Sequence, residues 1–180
     1  MLTARTLAEG RVYAGLMADD DAEAGETLTE GEQSWTLASG GTEVEVPYAS
    51  DQVARRAGAT FGLGVSQLVD AGQWVLVAST YADRAVDAAV RLGAATAAED
   101  DVRGVELTWA VAADAIGEAL KFLPDGAAEL PDEAFWSEAG TQARADQPER
   151  FTRDQLVDDL EYYRGALDDF RAAHGLAGQG

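Results

Sequence analysis

The chain of 180 residues is long enough for one good core or two small ones, and its 33 acidic against 13 basic residues give a formal net charge of -20. Such a field repels nucleic acid and anionic membranes, because phosphates are held through Lys and Arg, and it favours cations or basic partners. The apolar share, 47%, is that of a globular protein and not of a disordered one, and the absence of cysteine excludes disulfides and thiolate zinc sites.

The chain opens with MLTARTLAEGRVYAGLMADDD, which holds no apolar run of signal-peptide length. No later stretch reaches the roughly 20 apolar residues of a membrane span. A cytoplasmic protein with no membrane partner is therefore expected. Lysine occurs once, at Lys121, whereas arginine and alanine are common. That bias, with the acid excess, also fits acidity as a general adaptation to a salt-rich cytoplasm.

RVYAGLMA, from Arg11 to Ala18, is a short apolar run that predicts a strand. Residues 17–32, MADDDAEAGETLTEGE, carry seven acids and no base, and predict a solvated loop. In SWTLASGGTEVEV, Trp35 and Leu37 alternate with polar residues, Gly40-Gly41 supplies a tight turn, and Val44 and Val46 alternate with Glu43 and Glu45. This is the pattern of an antiparallel hairpin, ended by Pro47. Ser50 is placed to cap a short helix, DQVARRAG, that closes at Gly58. Ser66 or Val65 is placed to start one or two helical turns ending near Gly72. Trp74 to Thr80, WVLVAST, is an uninterrupted apolar and β-branched run that predicts a buried strand. Ala82, Val86, Ala89 and Val90 then recur at helical spacing up to Gly93.

Residues 93–104 are small and polar and read as a linker. VELTWAV is open to either strand or helix. PDG at 124–126 marks a turn, and Pro131 with Asp132 and Glu133 predicts a helix to about Ala145, before Pro148. The last helix has the clearest grammar. Thr152 and Gln155 have capping-box spacing, and Phe151 with Leu156 that of a hydrophobic staple. Leu156, Leu160, Tyr163, Leu167 and Phe170 form an apolar stripe opposite Asp154, Asp158, Glu161 and Asp168. The expected fold is α+β, a small mixed or antiparallel sheet flanked by helices with a C-terminal helical extension. Its expected domains are 1–93 and 104–175, with 176–180 a frayed tail.

Chemistry-bearing patterns are scarce. An EF-hand loop begun at Asp19 would place ligands on Asp19, Asp21, Glu23 and Glu30, but the required glycine at position 6 is Ala24, and EQSWTLAS reads as strand where the loop must lie between two helices. No metal and no cofactor is expected. The pairs Asp100-Asp101, Asp158-Asp159 and Asp168-Asp169 point about 100° apart on a helix and do not share a substrate. The single histidine, His174, suits the negative end of the last helix. Gly62 and Gly64 form a bare G-x-G without the rest of a dinucleotide fingerprint. Trp35, Trp74, Trp109 and Trp136 lack the basic neighbours of a base-stacking surface and are expected in the core.

The segments SWTLASGGTEVEVPYASDQVAR and GVSQLVDAGQWVLVAS resemble the N-terminal domain of SseB-like proteins (enhanced serine sensitivity protein B). The matching residues are Val44, Glu45, Val46, Pro47, Tyr48, Ala49 and Ser50, then Leu68, Asp70, Gly72 and Trp74 to Val77. Tyr48-Ala49 stands where the family has an aromatic-threonine pair, and Ala78-Ser79 where it has asparagine-proline. The resemblance implies an α+β fold, partner binding and no catalytic residues to carry over. Some members occur near bacterial secretion systems and toxin–immunity loci.

These readings converge on a non-enzymatic bacterial protein-binding protein, an immunity or secretion-associated accessory acting on a basic protein. Asp19, Asp20, Asp21 and Glu23 in the acidic loop, with Asp154, Asp158, Glu161 and Asp168 on the last helix, are the candidate partner-binding residues. An acidic DNA mimic would need regularly spaced surface acids, and a small carboxylate-dependent hydrolase or transferase would need carboxylates converging in a pocket.

Overall fold

The computed structural model describes residues 2–18, 25–93 and 98–176. The chain divides into two compact units, one up to Val69 and one from Asp70 onward.

The first unit is built on a four-stranded sheet of β1 (Leu2–Thr3), β2 (Thr27–Glu30), β3 (Ser34–Ser39) and β4 (Thr42–Pro47). Their order is β1-β4-β3-β2, with β1 parallel to β4 and the other pairs antiparallel. The expected hairpin is β3–β4. Gly40 and Gly41 make its turn with φ of 56° and 79°, the left-handed pair that lets a two-residue turn follow the twist of its strands. Leu37, Val44 and Val46 point to one face and are fully buried there, each worth about 1.5–3 kcal/mol.

Helix α1 (Leu7–Met17) packs on β3 and β4, which corrects the strand expected at Arg11 to Ala18. The deciding signal is the T-x-x-E spacing of Thr6 and Glu9, upstream of the apolar run. Thr6 Oγ1 accepts from the Glu9 N–H at 3.1 Å, and the Glu9 carboxylate accepts from the Arg5 N–H at 2.6 Å, a capping-box arrangement displaced by one residue. Gly10 faces the sheet, where a Cβ would lie 3.2 Å from Leu37 Cδ2, so glycine lets the helix approach closely. Helix α2 (Tyr48–Arg56) follows β4 directly, with Pro47 and not Ser50 at its cap position. Ser50 lies in the first turn and donates to the Pro47 carbonyl at 3.1 Å. Gly58 follows the helix with φ of 67°.

Residues 59–69 form an irregular loop where helical turns were expected. Ser66 Oγ accepts from the N–H groups of Leu68 and Val69 at 3.2 and 3.0 Å, closing a local turn, and the next helix starts only at Ala71.

The second unit is helical. Helix α3 (Ala71–Gly93) includes Trp74 to Thr80 and so overturns the strand expected there. Asp70 and Gln73 start it. The Gln73 N–H donates to Asp70 Oδ1 at 2.8 Å and the Asp70 N–H to Gln73 Oε1 at 3.1 Å. A run buried on nearly every side carries no periodicity to separate strand from helix, and the cap decides. The end at Gly93 is as expected. With Trp74 to Thr80 helical, the sheet loses the element that extended its expected domain to residue 93.

Helix α4 (Glu99–Leu120) begins inside the expected linker, with Glu99, Asp100 and Asp101 in its first turn, where acids favour the helix dipole; residues 94–97 lie outside the described residues. VELTWAV is therefore helical. The helix expected from Pro131 to about Ala145 is broken into a 3-10 turn (Asp132–Ala134) and helix α5 (Glu138–Asp146). The break arises because the N–H groups of Trp136 and Ser137 turn to Asp70 Oδ2, at 3.0 and 2.6 Å, while Ser137 Oγ caps α5 through the Gly140 N–H at 2.9 Å. Pro148 opens a further 3-10 turn to Phe151.

Helix α6 (Arg153–Ala173) is capped by Thr152, the Gln155 N–H donating to Thr152 Oγ1 at 3.3 Å, but the expected box is half made, because Gln155 Nε2 donates to Asp159 Oδ1 at 2.7 Å; Phe151 and Leu156 are both buried. Leu156, Tyr163, Leu167 and Phe170 are buried and Leu160 half-buried. Gly175 ends the helix with φ of 69°; of the expected frayed tail 176–180, Leu176 is held by its N–H on the Arg171 carbonyl at 2.9 Å, and 177–180 lie outside the described residues. Helix α4 packs along both α3 and α6 through Trp109, Ala112, Ala115, Ile116 and Ala119.

Two substitutions separate backbone strain from steric exclusion. Gly41→Ala meets no atom within 4 Å but must hold a positive φ, and is expected to cost about 1 kcal/mol. A Cβ on Gly72 would collide with the Gly140 main chain, and Gly72→Ala is expected to cost about 2 kcal/mol or more. Urea denaturation of both variants beside the parent checks the order.

Candidate functional site

Asp154, Asp158, Glu161 and Asp168 occupy one exposed face of α6, opposite its buried stripe. Their spacing of four, three and seven residues keeps them in register with the helical turn. Asp168 lies 3.8 Å from Arg171. Among the described residues, Asp154, Asp158 and Glu161 have no ion pair. Their rises along the axis are about 6, 4.5 and 10.5 Å, an uneven ladder unlike the regular repeat of a phosphate backbone. Asp19, Asp20, Asp21 and Glu23 lie outside the described residues.

Near the candidate loop, Glu26 binds the Arg11 guanidinium at 2.8 to 3.1 Å. This hydrogen-bonded pairing lowers the Glu26 carboxyl pKa and raises that of Arg11. Glu30 stands in β2 and not in a cation loop. Among the described residues no group of three carboxylate or imidazole side chains could hold a metal ion.

The buried acids are engaged with the fold. Glu9 holds the Arg5 guanidinium at 2.7 to 3.1 Å. Asp51 accepts from the Leu7 N–H at 3.1 Å and pairs with Arg55. Asp70 is surrounded by the main chain just described, and Glu118 pairs with Lys121. Two clefts adjoin α1, one of about 310 Å³ lined by Arg5, Glu9, Ser50 and Gln67, the other of about 390 Å³ lined by Thr6, Asp51, Arg55 and Thr60. Carboxylates already hold N–H donors at the start of α1, so an anion would meet negative charge there.

Gly62 and Gly64 have φ of 121° and 71°, and the Arg5 side chain packs on Gly62 and donates to the Gly64 carbonyl. The G-x-G thus presents carbonyls to an arginine and not amides to a phosphate. His174 ends α6, its Nδ1 3.0 Å from the Phe170 carbonyl and its ring stacked on Phe170 at 4.2 Å. Trp74 and Trp109 are buried and Trp35 half-buried, but Trp136 is 49% exposed against Phe122, which corrects its expected place in the core.

Sequence reasoning missed a polar junction between α3, the Pro148 turn and α6. Ser79 Oγ accepts from Arg150 at 2.6 Å and donates to the Val75 carbonyl at 3.0 Å, with the Tyr163 hydroxyl nearby. No local pattern links residues so far apart. Burial, and then the charge of Asp159, raises the Tyr163 pKa above its ordinary value.

Comparison of the chain with protein-family models, curated proteins and solved structures gives no match. No helix among the described residues is long and apolar enough to cross a membrane.

The Tyr163 shift fixes the sign of a pH effect. The unfolded phenol ionises near pH 10 while the folded one keeps its proton, so this contribution is complete below about pH 10 and is lost as pH rises through the folded value. Tyr163→Phe is expected to flatten that alkaline loss, read as the difference between parent and variant in urea titrations at about pH 8 and pH 11.

Proposed function

We propose that the chain is a protein-binding protein whose partner is basic, in the manner of an immunity or secretion-associated accessory protein. The observation that carries this reading is the α6 face, where Asp154, Asp158 and Glu161 lie exposed without an ion pair among the described residues. Within a chain of charge -20, such a face attracts a basic surface over roughly a Debye length, about 8–10 Å at physiological salt, and orients it during encounter. The resemblance to SseB-like proteins points the same way on its β3–β4–α2 segment, although Trp74 to Val77 are helical where a strand was expected.

The reading is tested by affinity capture from the native lysate at low salt and at about 0.5 M salt, with the parent and with an Asp154→Asn, Asp158→Asn, Glu161→Gln variant. A stoichiometric basic protein is expected, released by salt and associating about tenfold more slowly with the variant. Capture that is indifferent to both changes would remove α6 from the interface. Empty lanes at both salts would remove the partner.

A further inference from the structure

We infer that the free edge of β2 is a strand-addition site for an extended basic segment of a partner protein. The inference rests on the basic partner proposed above and assigns it a second, chemically different contact.

The sheet order leaves β2 at an edge, and all four of its residues are exposed. The hydrogen-bond phase of that edge follows from its neighbours. The Gly31 N–H donates to the Ser34 carbonyl at 2.8 Å, so Gly31 and Ser34 form a hydrogen-bonded pair. Antiparallel pairs alternate, and in the observed register Thr29 with Thr36 and Thr27 with Ala38 are the next hydrogen-bonded pairs. Leu28, opposite Leu37, and Glu30, opposite Trp35, are non-bonded pairs. Their N–H and C=O groups therefore point away from β3, where no strand among the described residues pairs with them. The same alternation agrees with the Tyr48 N–H bond to Gln33 and the Ala4 N–H bond to Glu45 on the other strands.

The edge offers two donors and two acceptors in the spacing an added strand needs. Lysine and proline, which protect many edges, are absent from Thr27-Leu28-Thr29-Glu30, and its one charge, Glu30, repels acidic strands while leaving the edge open to basic ones. The opposite edge, β1, has only two residues.

Charge selects the occupant. Arg11 neutralises Glu26, whereas Glu30 and Glu32 have no ion pair among the described residues. A second copy of the chain, antiparallel along β2 and centred on Thr29, would set Glu30 opposite Leu28 and offer it no counter-charge, whereas a basic strand supplies one. A strand carrying Lys or Arg opposite Glu30, with an apolar residue two positions away beside the 40% exposed Leu28, satisfies both the main chain and the side chains. Strand alternation puts these two residues on one face.

The test uses the full chain and a short synthetic peptide alternating valine and lysine, against the same peptide N-methylated at alternate residues. Binding is read by fluorescence polarisation, and the site by amide shifts of the isotope-labelled protein. The unmodified peptide is expected to bind and to shift Leu28 and Glu30, with N-methylation weakening it at least about tenfold. Leu28→Pro removes an outward N–H while sparing the Thr27 and Thr29 bonds to β3, and is expected to give a similar loss. Equal binding of the N-methylated peptide would reduce the contact to charge alone and overturn the inference without relying on any variant. No binding of either peptide, or shifts confined to α6, would overturn it as well. The variant neutralised on α6 is expected to keep the β2 contact, so failure at one surface is distinguishable from failure at the other.

Discussion

Asp70 has no exposed surface, and its carboxylate accepts from three main-chain N–H groups, those of Gln73, Trp136 and Ser137. Much of the helical unit depends on that one side chain. It starts α3, bends the chain before α5, and lies so close to Gly140 that a Cβ there would collide with its carboxylate, while a Cβ on Gly72 would meet the Gly140 main chain. A carboxylate buried without partners would cost far more than it returns. Surrounded by N–H donors it becomes a charge-assisted junction. The first unit uses a related device at α1, where Glu9 takes the Arg5 N–H and Asp51 the Leu7 N–H. The acid excess therefore has two parts of different physical meaning. A few acids are buried where helices begin and are held by donors of the fold; on the α6 face Asp154, Asp158 and Glu161 are exposed without an ion pair among the described residues.

The same distinction explains what could be seen in the sequence. The β3–β4 hairpin was legible because its alternation and its Gly-Gly turn agree. Helix α6 was legible because cap, staple and stripe agree over two dozen residues. The errors at Arg11 to Ala18 and at Trp74 to Thr80 have a common cause. Each apolar run was read for its own composition, while the instruction to be helical lay just upstream, in Thr6-x-x-Glu9 and Asp70-x-x-Gln73. Both pairs satisfy the sequence rule for a capping box in its Thr or Asp form. The break at Trp136 could not be read locally, because its cause is a carboxylate 66 residues earlier.

The candidate surfaces differ in the same way. Helical periodicity placed Asp154, Asp158, Glu161 and Asp168 on one face before any coordinates were needed. Strand β2 was hidden in an acidic stretch whose composition says loop, since Thr-Leu-Thr-Glu acquires strand character only by pairing with β3. What the edge exposes is main chain, and main-chain valence is invisible in a sequence until register is known.

Charge and register also divide the labour of recognition. An acidic helix face acts at a distance, is screened by salt and discriminates weakly among basic proteins, because many surfaces present several cations within reach. A sheet edge has no reach, yet it demands an extended backbone in one phase and a particular side-chain alternation. A partner that is basic but folded would satisfy the first demand alone. One with a basic extended segment satisfies both. Salt dependence of capture together with dependence on the partner's main-chain N–H groups is thus the physical signature that separates a two-surface recognition from acidity serving solubility alone.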